Sequence, residues 1–144
     1  ILTERCQEQY GSGTILNKGE SGTFAAIKID AIPAYNIQHM RSEGNPYHPK
    51  GIGNGYVLNF GGKKVYVAGD TENIPEMADI KDIDIAFLPM NLPYTMNPEM
   101  VADAAKMVHP NILYPYHFGN TDTQKLTDIM KEQPNVEVRI RKMN

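Results

Sequence analysis

The chain has 144 residues, with 14 Lys and Arg against 17 Asp and Glu, for a formal net charge of −3. Its 41% hydrophobic and 22% charged content is that of a protein able to bury a core, which excludes wholesale disorder. No strongly basic segment invites nucleic acid or an anionic membrane, and the longest apolar runs, such as Ile85-Ala86-Phe87-Leu88, fall far short of a bilayer span.

The expected elements follow in chain order. Turn formers cluster at Gly11-Ser12-Gly13 and Asn17-Lys18-Gly19-Glu20-Ser21-Gly22, so residues 1–22 read as a hairpin with a short strand at Thr14-Ile15-Leu16. Phe24 to Ile32 alternates in part and reads as a single strand with one exposed face, ended by Pro33. Residues 36–55 carry prolines and glycines that exclude a continuous helix and predict a long ordered loop, a common place for function. Tyr56–Phe60, Gly61-Gly62 and Lys63–Ala68 form a strand, a tight turn and a strand.

A short helix is expected over 75–81 and a buried strand over Ile83–Leu88. A helix is expected over Pro98–Val108, with Asn97 as its N-cap. A strand over Asn111–Tyr116, an amphipathic helix over Thr121–Lys131 and a charged edge strand over Val136–Ile140 complete the chain. Hairpins followed by strand–helix alternation predict a layered α/β fold in one domain spanning 1–144. The chain opens Ile1-Leu2-Thr3 with no Met and no signal-peptide pattern, so it is expected to be part of a larger domain. The single cysteine, Cys6, forms no internal disulfide and suggests a reducing compartment, the cytoplasm.

Chemistry concentrates where strands end. Gly69-Asp70-Thr71 follows the apolar strand Val65–Ala68, and a carboxylate released by a glycine at a strand end is well placed for a site at the sheet edge. His117 likewise follows Ile112-Leu113, where an imidazole suits metal binding or proton transfer. Two strand ends each delivering a ligand-type side chain form a more specific pattern than either alone.

Together the segments VYVAGDTE (65–72), IDIAFLP (83–89), YTMNPEM (94–100) and PYHFGN (115–120) resemble the C-terminal half of metallo-β-lactamase superfamily hydrolases. Ile32-Pro33-Ala34-Tyr35-Asn36 and His48-Pro49-Lys50-Gly51 point to the metal-dependent hydrolases related to lactonases. The resemblance implies the C-terminal half of an αβ/βα sandwich, a mostly antiparallel or mixed sheet with flanking helices. It implies a mono- or dinuclear site in which Asp70 and His117 bind divalent metal, most simply zinc, with manganese or iron as alternatives. The implied reaction is hydrolysis of an ester, lactone or phosphoester by a metal-bound hydroxide.

The family's HxHxDH motif is absent, and the four histidines, His39, His48, His109 and His117, are not spaced to replace it. The metal site is therefore expected to be incomplete in this chain and the chain inactive by itself. The expected partners are a small-molecule substrate and either a missing N-terminal half or a second copy covering the sheet. The family's third-motif histidine would fall in the Pro33–Asn36 turn, where Asn36 stands instead and is expected to support the ligands from behind. His48 and Tyr94 are expected to contact substrate, and Thr71 to support the ligand carboxylate by a hydrogen bond. His39 has a weaker claim, and His109 fits a structural role at a helix C-terminus. The competing expectation is a non-catalytic binding or assembly module that keeps the fold with an incomplete site.

Overall fold

The computed structural model describes residues 1–143. Its centre is a seven-stranded mixed sheet. In chain order the elements are α1 (Glu4–Tyr10), β1 (Ser21–Phe24), β2 (Ile27–Ala34), β3 (Met40–Ser42), β4 (Asn45–Pro46), β5 (Gly53–Phe60) and β6 (Lys63–Val67). A 3₁₀ turn (Pro75–Asp79) precedes β7 (Ile85–Pro89), α2 (Pro98–Val108), β8 (Ile112–Tyr116), α3 (Thr123–Met130) and β9 (Glu137–Val138). The sheet order is β1-β2-β5-β6-β7-β8-β9, and β3 with β4 forms a separate small hairpin. From β1 to β6 the neighbours are antiparallel, whereas β6, β7, β8 and β9 run parallel. This is the mixed sheet with flanking helices expected above.

The strand alternation sorts residues onto two faces. Tyr66, Ala86, Leu88 and Leu113 turn to the face covered by α2 and α3, where Met100, Val101, Ala104, Val108, Leu126 and Met130 complete the main core. The opposite face carries Tyr56 and Leu58 packed on Leu16, Ile29 and Ala31. It continues through half-buried Val67, Phe87 and Tyr114, the last two stacked with ring centroids 5.2 Å apart.

Several local expectations are corrected. Residues 4–10 are helical: Thr3 caps the first turn by accepting from the Cys6 N–H, and Gly11 closes the helix at φ 75°. Thr14–Leu16 contributes only an isolated bridge, Leu2 with Ile15. The Phe24–Ile32 strand is really two strands, because Ala25 and Ala26 both take positive φ and make a tight turn that pairs Phe24 with Ile27.

Pro33 does not end β2. Ala31 exchanges backbone bonds with Gly19 and Glu20, and Pro33, two residues on, faces the same way beyond the end of that pairing. Its missing N–H therefore breaks no ladder bond. The helix expected over 75–81 is only the 3₁₀ turn, and the last strand shortens to two residues on the sheet edge.

Where β5 enters the sheet, backbone approaches backbone. A Cβ on Gly55 would lie 2.5 Å from the Ala68 carbonyl oxygen, and one on Gly69, at φ 70°, would lie 2.6 Å from that of Asn54. Gly55→Ala should therefore lower the unfolding free energy by about 2–3 kcal/mol through overpacking. Gly62→Ala, in open space at φ 89°, should cost only about 1 kcal/mol. Urea unfolding of the intact protein carrying each substitution measures the difference.

Candidate metal centre

Asp70 and His117 stand at the carboxyl ends of the parallel strands β6 and β8, on either side of β7. That edge of a parallel sheet is where ligand-binding groups collect. Gly69 turns the chain sharply enough to release Asp70 from β6. His117 itself sits at φ 55°, a left-handed conformation that costs a non-glycine residue about 1–2 kcal/mol. His109 takes φ 48° for a structural reason, as the C-cap of α2 with its N–H donating to Ala105, so this conformation alone does not mark a site.

His117 Nδ1 lies 3.3 Å from Asp70 Oδ1. On the other side His48 Nε2 lies 3.7 Å from Asp70 Oδ2. Two imidazoles 69 residues apart in sequence numbering (117 − 48) thus address opposite oxygens of one carboxylate. All three side chains are partly open to solvent, at 43% for Asp70, 52% for His117 and 29% for His48. The carboxylate is felt beneath the surface: burial pushes the Tyr116 phenol up, and the Asp70 charge adds to the rise against an opposing hydrogen bond at Gly69.

His48 is brought there by a network with unambiguous polarity. Asn36 Nδ2 donates to Glu72 Oε1 and to the Tyr94 carbonyl, each at 3.0 Å. Its Oδ1 must then accept, and it does so from the His48 backbone N–H and from Nδ1–H, both at 2.8 Å. With Nδ1 donating to Asn36, Nε2 is the nitrogen turned toward Asp70, the orientation a metal-binding imidazole needs. The Asn36 backbone N–H also donates to the His48 carbonyl at 2.9 Å.

Glu72 anchors this network. It is fully buried and accepts from the backbone N–H groups of Ile37, Gln38 and His39 at 2.7, 2.7 and 2.8 Å, and from His39 Nδ1 at 2.6 Å. Burial by itself would raise its carboxyl, but Asn36 and the three backbone donors overcome that and hold it below the usual carboxylate range. Beyond His48, Lys50 Nζ donates to Glu76 at 2.8 Å and to the Tyr35 hydroxyl at 3.1 Å, and pins the end of the loop to the 3₁₀ turn.

The expected site residues therefore separate. Asp70, His117 and His48 converge, and Asn36 supports His48 instead of occupying a ligand position. Thr71 departs from expectation. Its hydroxyl bonds the Tyr35 N–H, the Tyr35 carbonyl and the Glu72 carbonyl, because it points into the core and away from the Asp70 carboxylate. Tyr94 joins through its carbonyl, while its exposed ring packs edge-on against Tyr47 at 5.0 Å. His39 is bound to Glu72 and takes no part in the contacts made by Asp70. Glu72 was not singled out from the sequence, where nothing distinguishes it from a solvated glutamate.

A cavity of about 490 Å³, within the usual size of small-molecule sites, is lined by His48 and Asp70 together with Tyr47 and Tyr56. Among the described residues no group of three or more His, Cys, Asp and Glu side chains has the arrangement to hold a metal ion.

A model of the β-lactamase superfamily domain matches residues 4–117. The chain belongs to the metallo-β-lactamase superfamily. A crystal structure described as that of a metal-dependent hydrolase from Parabacteroides distasonis matches with a TM-score of 0.92 and 49% identity, over 99% of this chain and 63% of that one. Igni18, a metallo hydrolase from Ignicoccus hospitalis, matches with a TM-score of 0.73 and 25% identity, over 95% of this chain and 61% of that one.

Among curated relatives, a UPF0173 metal-dependent hydrolase from Ligilactobacillus salivarius is 35% identical over 93% of this chain and 73% of its own length. The chain spans 53% of another, from Pelotomaculum thermopropionicum, at 29% identity. No helix among the described residues is long and apolar enough to cross a membrane.

The Glu72 network has a pH signature. Its folded pKa is lowered from the ordinary 4.5, so its stabilisation is present above that value and lost as pH falls through the lowered one. Glu72→Gln should cost about 2–4 kcal/mol near neutral pH, because buried N–H donors lose their charged acceptor. Between about pH 5 and pH 3 the variant should lose stability less steeply than the parent. Denaturant midpoints of both proteins across that range give the comparison.

Proposed function

We propose that the protein containing this chain is a metal-dependent hydrolase acting on an ester, lactone or phosphoester, with Asp70, His117 and His48 contributing donors to a metal site that these three do not form by themselves. The observation that carries this reading is the approach of two imidazoles to opposite oxygens of one carboxylate at the end of parallel strands. The nitrogen and oxygen donors suit a borderline divalent cation, zinc first and manganese or iron next. When bound, such a cation acidifies water and polarises the oxygen of the substrate's electrophilic centre.

The chain's own residues supply the positioning. Asp70 would hold the cation through oxygens that each face one imidazole, and Asn36, accepting from Nδ1, leaves Nε2 as the nitrogen turned toward Asp70. His48 also lines the cavity beside Asp70, so one ring serves both ligand and substrate sides. The remaining donors are proposed to come from residues outside 1–144. Those residues would also cover the half-buried sheet face around Val67, Phe87 and Tyr116, where a shallow 220 Å³ depression lies. On this reading residues 1–144 form the C-terminal portion of the domain, and the lone Cys6 fits a cytoplasmic setting.

Elemental analysis of the intact protein purified without chelator tests the proposal. Metal should be present in the parent and lost in Asp70→Ala, with kcat/KM on 4-nitrophenyl esters falling by more than about a hundredfold. A metal-free parent would favour the non-catalytic binding module, and unchanged metal in Asp70→Ala would overturn the ligand assignment.

A further inference from the structure

The cavity beside Asp70 and His48 is also lined by Arg5 and Arg41, and Asp70 is the one acidic residue on its wall. Glu4 and Glu8 line a neighbouring 530 Å³ cavity instead. Arg41, on β3, makes no ion pair among the described residues. Its guanidinium carbon sits 5.3 Å from the centroid of the Tyr47 ring. Tyr47 is braced in turn by Tyr94, edge-on at an interplanar angle of 78°.

This seating has a directional consequence. Stacking on an aromatic ring uses the face of the planar guanidinium and leaves its in-plane N–H donors free. Those donors form a fork that matches the paired oxygens of a carboxylate or phosphate. The same cavity is lined by Tyr56, Ile52 and Ala34, apolar wall that suits a short carbon spacer.

We propose that this cavity selects substrates bearing an oxyanion, a carboxylate or a phosphate, which Arg41 binds while the bond to be cleaved lies at Asp70 and His48. The proposal rests on the hydrolase reading of the same site and names the substrate class that reading leaves open. Arg41 is then a specificity residue that contributes to binding and not to the bond-breaking step.

The test compares two esters of equal chain length in the intact protein: 4-nitrophenyl hydrogen glutarate, which ends in a carboxylate, and 4-nitrophenyl valerate, which ends in a methyl group. Arg41→Met should lower kcat/KM about tenfold for the glutarate ester, through KM, and leave the valerate ester unchanged. Arg41→Lys should retain part of the preference, since it keeps the charge but not the fork. Where both esters are cleaved, equal effects of Arg41→Met on both, or none on either, would overturn the proposal.

A measurement independent of turnover separates it from the hydrolase reading. Calorimetric titration with monomethyl glutarate and with monomethyl phosphate should show binding of at least one anion, weakened about tenfold by Arg41→Met. The anion that shows the loss identifies the preferred group. If neither anion binds the parent, the oxyanion site is refuted whatever the esters do. If an anion binds through Arg41 while neither ester is cleaved, the site stands and carboxylic esters fall out of the hydrolase reading.

Discussion

A carboxylate with no access to water holds this site together. Burying the charge of Glu72 is costly unless donors replace the water it loses. Here three consecutive backbone N–H groups, the Asn36 amide and the His39 ring replace it. Glu72 lies two residues beyond Asp70, and its donors lie in the segment that begins the long loop carrying His48. The turn presenting one ligand candidate and the loop presenting another are thus tied at the same atoms. Thr71 reinforces the tie from its place between them, through both backbone groups of Tyr35.

The sheet supplies the second constraint. Strands β6 and β8 run parallel with β7 between them, so their carboxyl ends, and with them Asp70 and His117, emerge on one edge. The approach of Gly55 to the Ala68 carbonyl and of Gly69 to the Asn54 carbonyl brings the start of β5 against the end of β6. That contact lets a loop preceding β5 deliver His48 to the far side of Asp70. Rigid backbone therefore places two of the three side chains, and a hydrogen-bonded loop places the third.

Much of this was legible in residue order, and the misses have identifiable causes. Asp70 and His117 stood out because each follows an apolar strand and precedes or follows a glycine. The helix at 98–108 is signalled by its Asn97 cap and Pro98, and the one expected over 121–131 by apolar periodicity, which the structure forms over 123–130. Helix α1 carried a readable signal too, Thr3 followed by Glu4 and closed by Gly11, but the glycines around it looked like turns. The Ala25-Ala26 turn carried none, since alanine seldom adopts positive φ and only the pairing of β1 with β2 forces it there. Thr71 sat next to a candidate ligand, yet alternation along an extended segment turns neighbours to opposite sides.

The order of residues by itself determined the layered α/β class, the strand ends that carry Asp70 and His117, and the family resemblance, because periodicity and motif are local properties of the chain. Only the tertiary structure decided that His48 faces Asp70, that His48 is the residue Asn36 bonds, and that Arg41 and Asp70 line one cavity. Those relations depend on which distant segments touch. The hydrogen-bond polarity fixing them exists only once Glu72 has been taken out of water, and residue identity does not reveal that burial.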